Sequence, residues 1–345
     1  MGARTGESPR LDHLLNLTDD CGVIQHATYD VPHLETGYCV DDVARAFIVG
    51  VRLGVAKIAV RSLSFLQHAQ LGDGRFHNFM AYDRRWLDEV GSEDAFGRAV
   101  WALGWGRAAA PEPGWRSLSG TLFERALPNV ESLMHLRAKA YAGLGLAKAL
   151  SAEPGDGHAR RALAAVVGSL VEARKRAGDD EWRWFEPMMT YANARLPEAL
   201  LRGGAALGDQ AAVAVGRETL AFLEEVTIRE GMFVPIGNRG WYRRGGERAL
   251  YAQQPIEAAA MVEAELAAYE LTKDERHLRA AGIAFDWFFG HNAHGAVMVR
   301  GGGCRDGLEP ECVSANMGAE STLEYLMAAT SMSVDVPRTE RGVRR

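Results

Sequence analysis

Lysine is scarce in this chain: only five of its 345 residues are lysine, so arginine carries nearly all of the positive charge. Acidic side chains still outnumber basic ones, 45 to 39, and the formal net charge is −6. Proteins that bind nucleic acid usually display a basic stripe or patch. The mild acidity therefore argues against a DNA or RNA partner.

Cysteine is also rare, and long hydrophobic runs are absent. The four cysteines, at positions 21, 39, 304 and 312, form no CxxC pair, so neither a disulfide framework nor a cysteine-based zinc site is expected. No apolar run approaches the ~20 residues of a membrane-spanning helix, and the polar segment 1–10 lacks the apolar core of a signal peptide. We expect a cytoplasmic protein with reduced thiols, no membrane partner and no metal.

Phosphate-binding motifs are missing too. Gly301, Gly302 and Gly303 follow one another, but no Gly-Lys-Ser or Gly-Lys-Thr comes after them, so they do not form a P-loop. The pair Asp41 and Asp42 lacks the further aspartate of the magnesium-binding isoprenoid enzymes. The sequence therefore indicates no cofactor.

Apolar residues make up 47% of the sequence, and 38 residues are glycine. Six segments repeat one form, in which a polar or acidic start leads into a helical run of Ala, Gly and Leu. The six runs span about 41–53, 92–108, 135–150, 191–207, 253–271 and 316–331. Successive starts lie 43 to 63 residues apart, which leaves room for two helices and their loops.

Between these runs lie segments whose apolar residues occupy one helical face, at 55–71, 158–176, 210–225 and 275–289. Helices that are apolar on most faces pack inside, and one-sided helices form an outer layer. The alternation predicts an all-α fold, an (α/α)6 barrel or toroid of six helical hairpins, in one domain over 1–332. Residues 11–17 would supply the sixth outer helix, short β excursions are expected at 75–82 and 232–242, and 333–345 would be a disordered basic tail.

The six inner helices would run parallel, so their N-termini and the loops before them would meet on one rim of the ring. Acidic pairs open two of these helices, Asp41 with Asp42 and Glu93 with Asp94. We predict that Asp42 and Asp94 form a catalytic acid–base pair, with Asp41, Glu93 and Glu257 as alternatives. The predicted substrate-binding residues are Tyr38, His77, Arg98, Trp184, Glu186, Tyr191, Asn193, Arg195, Gln254, Asn316 and Glu320.

Carboxylates beside aromatic rings suit a sugar ligand, because rings stack on apolar sugar faces and carboxylates accept hydroxyl hydrogens or transfer protons. Hydrolysis of a glycosidic bond uses two carboxyl groups, one protonated and one ionised. Each residue also has a purely structural interpretation: acidic residues cap helices, Arg45 would pair with Asp41, and Trp and Tyr are common in cores. Two helices begin with a pair of acidic residues, whereas one side chain suffices as a cap. The second acidic residue of each pair therefore favours a catalytic role.

Several stretches resemble a known family. They are residues 37–46 (GYCVDDVARA), 182–186 (WRWFE), 190–200 (TYANARLPEAL) and 316–323 (NMGAESTL). These stretches resemble segments of bacterial six-hairpin glycosidase-like proteins, and the resemblance extends over about 15–329. The wider superfamily includes unsaturated glucuronyl hydrolases, N-acylglucosamine epimerases and other (α/α)6 glycosidases. The resemblance implies the toroid fold and sugar chemistry at the rim, with acidic residues on the inner-helix starts.

Three functions remain open. The leading hypothesis is a glycoside hydrolase that acts on a small oligosaccharide. A sugar epimerase or isomerase needs paired bases, often histidines; His77 is the only histidine that the pattern places well, and His26 has no second metal ligand at a recognisable spacing. The third is a sugar-binding protein without turnover. The sequence leaves the sugar, the linkage and the oligomeric state open.

Overall fold

The structure, a computed structural model, describes residues 9–335. In chain order its helices are α1 (Asp12–Leu17), α2 (Val40–Leu53), α3 (Ala56–Ala69), α4 (Glu93–Ala109), α5 (Pro113–Ala126), α6 (Leu136–Ala152), α7 (Gly157–Ala177), α8 (Arg195–Leu207), α9 (Gln210–Thr227), α10 (Pro255–Thr272), α11 (Glu275–Asp286) and α12 (Ala319–Asp335). Each even-numbered helix packs against the next, and α12 packs against α2, which closes a ring. The odd-numbered helices pack outside, with α1 against α12. The predicted all-α toroid of six helical hairpins is confirmed.

The two layers differ in burial as their sequence patterns predicted. In the inner layer, α10 is buried at every position from Pro255 to Ala268. In the outer layer, α11 buries only one stripe, which includes Ala281 and Phe285. A helix surrounded by neighbours needs small or apolar residues on every face, whereas an outer helix needs them on one face.

Close approach between inner helices explains why they are rich in glycine. A Cβ added to Gly104 would lie 2.1 Å from the carbonyl oxygen of Gly145, and one added to Gly145 would lie 2.4 Å from that of Val100. Backbone therefore meets backbone between α4 and α6, and only glycine leaves room for this contact. Larger side chains here would force the two helices apart.

Short antiparallel strand pairs lie in the loops that lead into the inner helices. The strands are β1 (Ala27–Thr28), β2 (Val31–Pro32), β3 (Tyr38–Cys39), β4 (Phe79–Met80), β5 (Met188–Met189), β6 (Ile228–Arg229), β7 (Met232–Phe233), β8 (Tyr242–Arg243), β9 (Val299–Arg300) and β10 (Gly303–Cys304). Strand β3 pairs with β4, and β5 pairs with β8, so each of these pairs joins the loops before two inner helices. The β excursions predicted at 75–82 and 232–242 are confirmed.

Some boundaries differ from the prediction. The outer helix α5 was not identified from the sequence. The helix predicted from 191 begins at Arg195, because Ala192 adopts a left-handed backbone conformation with φ of 47°. Helix α12 continues to Asp335, so the predicted tail does not begin at 333, and its residues 336–345 lie outside the described part. None of the described helices is long and apolar enough to cross a membrane.

Candidate active site

The carboxylate of Asp94 binds one side chain of its own helix and one from another part of the ring, and it does not cap its own helix. Helix α4 is capped by Ser92, whose Oγ accepts a hydrogen bond from the N–H of Ala95 at 3.1 Å. Asp94 instead accepts hydrogen bonds from Nη1 of Arg98 at 3.2 Å and from the hydroxyl of Tyr191 at 2.7 Å. Because Tyr191 precedes α8, this contact spans the rim between helices that are not neighbours. Helix capping therefore does not explain Asp94, which remains half-buried at the rim.

A buried arginine also links Asp41 to this group. Nη1 of Arg98 donates to Oδ1 of Asp41 at 3.0 Å as well as to Asp94, although only 4% of Arg98 is exposed. Its guanidinium lies over the ring of Tyr141, 4.3 Å from the centroid. Arg98 therefore positions two half-buried carboxylates from beneath, and little of its own surface is available to a ligand.

A second buried arginine, Arg45, holds the start of α2 against α12. Its Nη1 donates to Asp42 at 3.2 Å, its Nη2 to Glu320 at 2.9 Å and its Nε to Glu324 at 2.7 Å. Asp42 and Glu324 are buried, whereas the side chain of Glu320 is 41% exposed. Around Arg45, the accessible carboxylate of Glu320 therefore lies beside the enclosed carboxyl group of Asp42.

The enclosed carboxyl group of Asp42 has an unusual affinity for protons. Burial raises the pKa of Asp42 to about 7, even though the adjacent Arg45 acts in the opposite direction, and the negative charge of Glu320 adds to the rise. The Sγ of Cys39 donates to its Oδ2 at 3.1 Å. Near neutral pH, part of the Asp42 population is protonated while Asp94 accepts hydrogen bonds from a cation and a phenol. Such an unequal pair is what acid–base catalysis requires.

Glu257 fastens the loop that leads into α8. Its Oε1 accepts the N–H of Ala192, and its Oε2 accepts from the N–H and Nδ2 of Asn193 at 3.3 and 3.0 Å. Burial raises the pKa of Glu257 to about 7 in spite of these donors. Because the left-handed backbone of Ala192 is costly for a residue other than glycine, these bonds stabilise a strained turn. The contacts give Glu257 a supporting position in place of the predicted catalytic one.

Arg137 is a rim residue that the sequence analysis missed. It lies in the first turn of α6, where its Nε donates to the carbonyl oxygen of Tyr191 at 2.5 Å and its Nη1 to Glu186 at 2.6 Å. Its guanidinium also lies 4.9 Å from the ring centroid of Tyr191. Arg137 could have been identified from the sequence, because it stands in the third repeated helix start. The acidic candidates were chosen for standing in such starts. Glu186 and Tyr191 remain half-buried beside Arg137.

His77 lies in the loop before α4, with its ring orientation fixed. Its Nδ1 lies 2.8 Å from the carbonyl oxygen of Asp88, and its ring stacks on Trp86 with centroids 4.6 Å apart. Because a carbonyl oxygen only accepts hydrogen bonds, Nδ1 carries the hydrogen and the lone pair of the neutral ring is on Nε2. This tautomer is the one in which Nε2 can act as a base.

Asn316 joins two loops at the start of α12. Its Oδ1 accepts the N–H of Ala27 at 3.0 Å, and its Nδ2 lies 2.6 Å from Asp306 and 3.0 Å from Nδ1 of His26. Burial raises the pKa of Asp306, whereas His26 is exposed. Neither His26 nor Asp306 was predicted as a site residue. The partner of His26 comes from the opposite end of the chain, whereas Asp306 bonds Asn316 and Ser321 of its own segment.

Four of the predicted substrate contacts are buried. They are Tyr38, Trp184, Asn193 and Arg195, whose exposed fractions are 1% or less. The hydroxyl of Tyr38 donates to Asp19 at 2.5 Å, Trp184 packs in the core, and Arg195 pairs with Glu198 and Glu263 at 2.7 and 2.6 Å. Their contact with a substrate stays a prediction.

The last two predicted residues lie at helix starts. Glu93 accepts hydrogen bonds through Oε2 from the N–H groups of Met134 and His135, both at 2.8 Å, so it holds the loop directly before the neighbouring helix α6. Gln254 is half-buried directly before α10, and no described residue bonds its side chain. Glu93 therefore has a structural contact where catalysis was predicted, whereas Gln254 is available to a ligand.

The fold matches that of solved carbohydrate-processing enzymes at low sequence identity. A sugar epimerase from a ruminal bacterium superposes with a TM-score of 0.71 at 14% identity, covering 94% of this chain and 97% of that one. A cellobiose 2-epimerase from Bacillus thermoamylovorans gives 0.71 at 12% identity over 94% and 95% of the two chains. The GH76 α-mannanase of Bacteroides thetaiotaomicron gives 0.64 at 10% identity over 93% of each. No protein-family model and no curated protein matches the sequence.

Proposed function

We propose that this chain is a carbohydrate-active enzyme whose rim hydrolyses a glycosidic bond of a small oligosaccharide. The observation that carries the proposal is the difference between two carboxyl groups at the inner-helix starts. Burial raises the pKa of Asp42 to about 7, while Asp94 accepts hydrogen bonds from Arg98 and Tyr191. One carboxyl group that retains a proton and one that acts as an acceptor form the pair that glycoside hydrolysis needs.

In this proposal Asp42 donates its proton to the oxygen of the leaving sugar as the glycosidic bond breaks. Asp94 either removes a proton from the water that attacks the anomeric carbon, or attacks that carbon itself before water releases the sugar. Asp41, Glu186, Gln254 and Glu320 are half-buried at the same rim and would accept or donate hydrogen bonds to sugar hydroxyls. Likeness to sugar-processing enzymes in fold supports the substrate class.

A hydrolysis screen tests the proposal directly. The purified chain is incubated with a panel of α- and β-linked oligosaccharides, and products are separated by chromatography. Asp42→Asn and Asp94→Asn should each lower turnover by at least about a hundredfold, which is the usual contribution of an acid or base catalyst. Asp19→Asn, which removes the charge of the carboxylate bonded to the buried Tyr38, serves as a control that should leave turnover intact. Unchanged turnover in both Asn variants would rule out the assignment.

A sugar epimerase or isomerase is the second candidate, and the orientation of His77 favours it. Asp88 fixes the tautomer in which Nε2 bears the lone pair, and a base of this kind removes the proton next to a sugar carbonyl. Incubation with free sugars in D2O distinguishes the candidates, because epimerisation through proton removal incorporates deuterium at that carbon and hydrolysis does not. His77→Gln should abolish this exchange. Deuterium incorporation without cleavage of any oligosaccharide would replace the hydrolase proposal.

A further inference from the structure

A second cluster of chemically active side chains lies between the inner and outer helices, apart from the residues of the rim. Glu224 of α9, Glu265 of α10 and His277 of α11 each place one possible ligand atom within 4.8 Å of the others. Nδ1 of His277 lies 2.6 Å from Oε2 of Glu265. Three consecutive helices thus contribute two carboxylates and one imidazole to a single point.

The carboxylate of Glu265 lacks the partners that other buried glutamates of this chain have. Glu263 pairs with Arg52 and Arg195, and Glu324 pairs with Arg45 and Arg195. Glu265 is fully buried, yet among the described residues no Lys or Arg forms a salt bridge with it or with Glu224. Its Oε1 accepts no hydrogen bond from an N–H or hydroxyl donor of these residues, and its carboxyl group can share a proton with that of Glu224. A buried carboxylate left in this state is costly, so a bound cation would relieve the cost.

We propose that Glu224, Glu265 and His277 form a binding site for one Zn²⁺ ion that fastens α9 and α11 to α10. One nitrogen and two carboxylate oxygens are typical zinc ligands, and the nitrogen ligand disfavours Mg²⁺ and Ca²⁺. Zinc bonds of about 2.0–2.2 Å place ligand atoms roughly 3–3.5 Å apart. Nδ1 of His277 and Oε2 of Glu265, 2.6 Å apart, would therefore separate around the ion, and any wider distances within the cluster would shorten. Water would complete the coordination, because Glu224 and His277 are partly exposed and leave a path to solvent.

The absence of cysteine pairs predicts no metal, but this site needs no cysteine. Its ligands are separated by 41 and 12 residues along the chain, so no motif spacing indicates it.

Zinc content measures the site without reference to any sugar activity. The tag-free chain is equilibrated with ZnCl2 and then with metal-free buffer. Zinc is counted by inductively coupled plasma mass spectrometry, and the dissociation constant is obtained by competition with a chromophoric chelator. We expect about one zinc per chain and a melting temperature that rises with zinc, because an ion that binds only the folded state stabilises it.

Variants identify the ligands. Glu224→Gln and His277→Gln should each weaken zinc binding by at least about tenfold and remove the thermal shift. The matched control, Glu275→Gln, changes an exposed carboxylate on α11 and should bind zinc like the parent. Circular dichroism verifies the fold of each variant. One folded ligand variant, at either position, is sufficient to test the proposal. A folded parent chain that retains no zinc, or ligand variants that bind it as tightly as the parent, would overturn the proposal.

Discussion

Nη1 of Arg98 lies 3.0 Å from Oδ1 of Asp41, and this contact joins the starts of the first two inner helices. The same nitrogen donates to Asp94 at 3.2 Å, while the guanidinium packs on Tyr141. A rigid, buried cation therefore sets the separation between an acidic residue of α2 and one of α4. A guanidinium can serve both carboxylates because its donors are fixed in one plane.

Replacement of Arg98 by lysine tests this relationship. Lys keeps the charge but loses the planar donors, so Arg98→Lys should reduce sugar turnover at least about tenfold and destabilise the fold by about 2 kcal/mol. Urea denaturation measures the free energy of unfolding, and the product assay measures turnover. Arg84→Lys is the control, because Arg84 pairs with Asp20 on the exposed surface and should change the free energy by less than about 1 kcal/mol. Equal effects of the two variants would show that Arg98 is not a positioning residue.

Asp42 predicts a specific dependence of stability on pH. Its pKa is about 7 in the folded chain and 3.8 as an ordinary aspartate, so between these values the folded state holds a proton that the unfolded chain has lost. This contribution to stability is full below about pH 4 and is lost as the pH rises through about 7. Glu257, Glu224 and Glu265 titrate in the same direction, so only a comparison of variants isolates Asp42.

The comparison is between the parent chain and Asp42→Asn. From about pH 5 to pH 8 the parent should lose at least about 1 kcal/mol more unfolding free energy than the variant, measured by urea denaturation at each pH. In the hydrolase, turnover of the parent should also fall on the alkaline side with an apparent pKa near 7, because Asp42 must retain its proton. Parallel stability curves for the two proteins would mean that Asp42 is ionised in the folded state.

The toroid was predictable because its signal repeats. Six polar starts followed by Ala-, Gly- and Leu-rich runs, with one-sided helices between them, admit few other arrangements. Helix α5 escaped notice because it buries only a few side chains, among them Leu122 and Phe123. The left-handed backbone at Ala192 depends on the distant Glu257, so the late start of α8 was not predictable from local sequence.

The positions of the candidate residues were predictable, but the orientation of their side chains was not. Asp41, Asp94 and Glu320 lie half-buried on inner-helix starts, and Glu186 lies half-buried in the loop before α8. Trp184 lies beside Glu186 in the stretch 182–186 but packs in the core. The sequence pattern did not show on which side its ring would pack. Contacts between distant segments, such as those that Arg137 makes with residues about 50 positions away, leave no local pattern.

Glu93 separates a structural role from a catalytic one. Its carboxylate accepts the two N–H groups directly before α6, so Glu93→Ala should destabilise the fold by about 1 kcal/mol, as the loss of a hydrogen-bond partner does. Turnover per folded molecule should stay within about twofold of the parent, in contrast to the large loss expected for Asp94→Asn. Thermal unfolding and the product assay measure the two effects. A loss of turnover as large as that of Asp94→Asn would restore Glu93 as a catalytic residue.

Two tyrosines each donate a hydrogen bond to an aspartate, one at the rim and one away from it, so the two bonds can be removed separately. The hydroxyl of Tyr191 donates to Asp94 at 2.7 Å, and that of Tyr38 donates to Asp19 at 2.5 Å. Tyr191→Phe and Tyr38→Phe should each cost about 1 kcal/mol of unfolding free energy, because each leaves a carboxylate with one donor fewer. Only Tyr191→Phe should lower turnover, by up to about tenfold, since a hydrogen bond of this strength supports the carboxylate that we propose to act on the sugar. If both variants lowered turnover equally, the effect would come from the fold as a whole, and the contact between Tyr191 and Asp94 would have no separate role in catalysis.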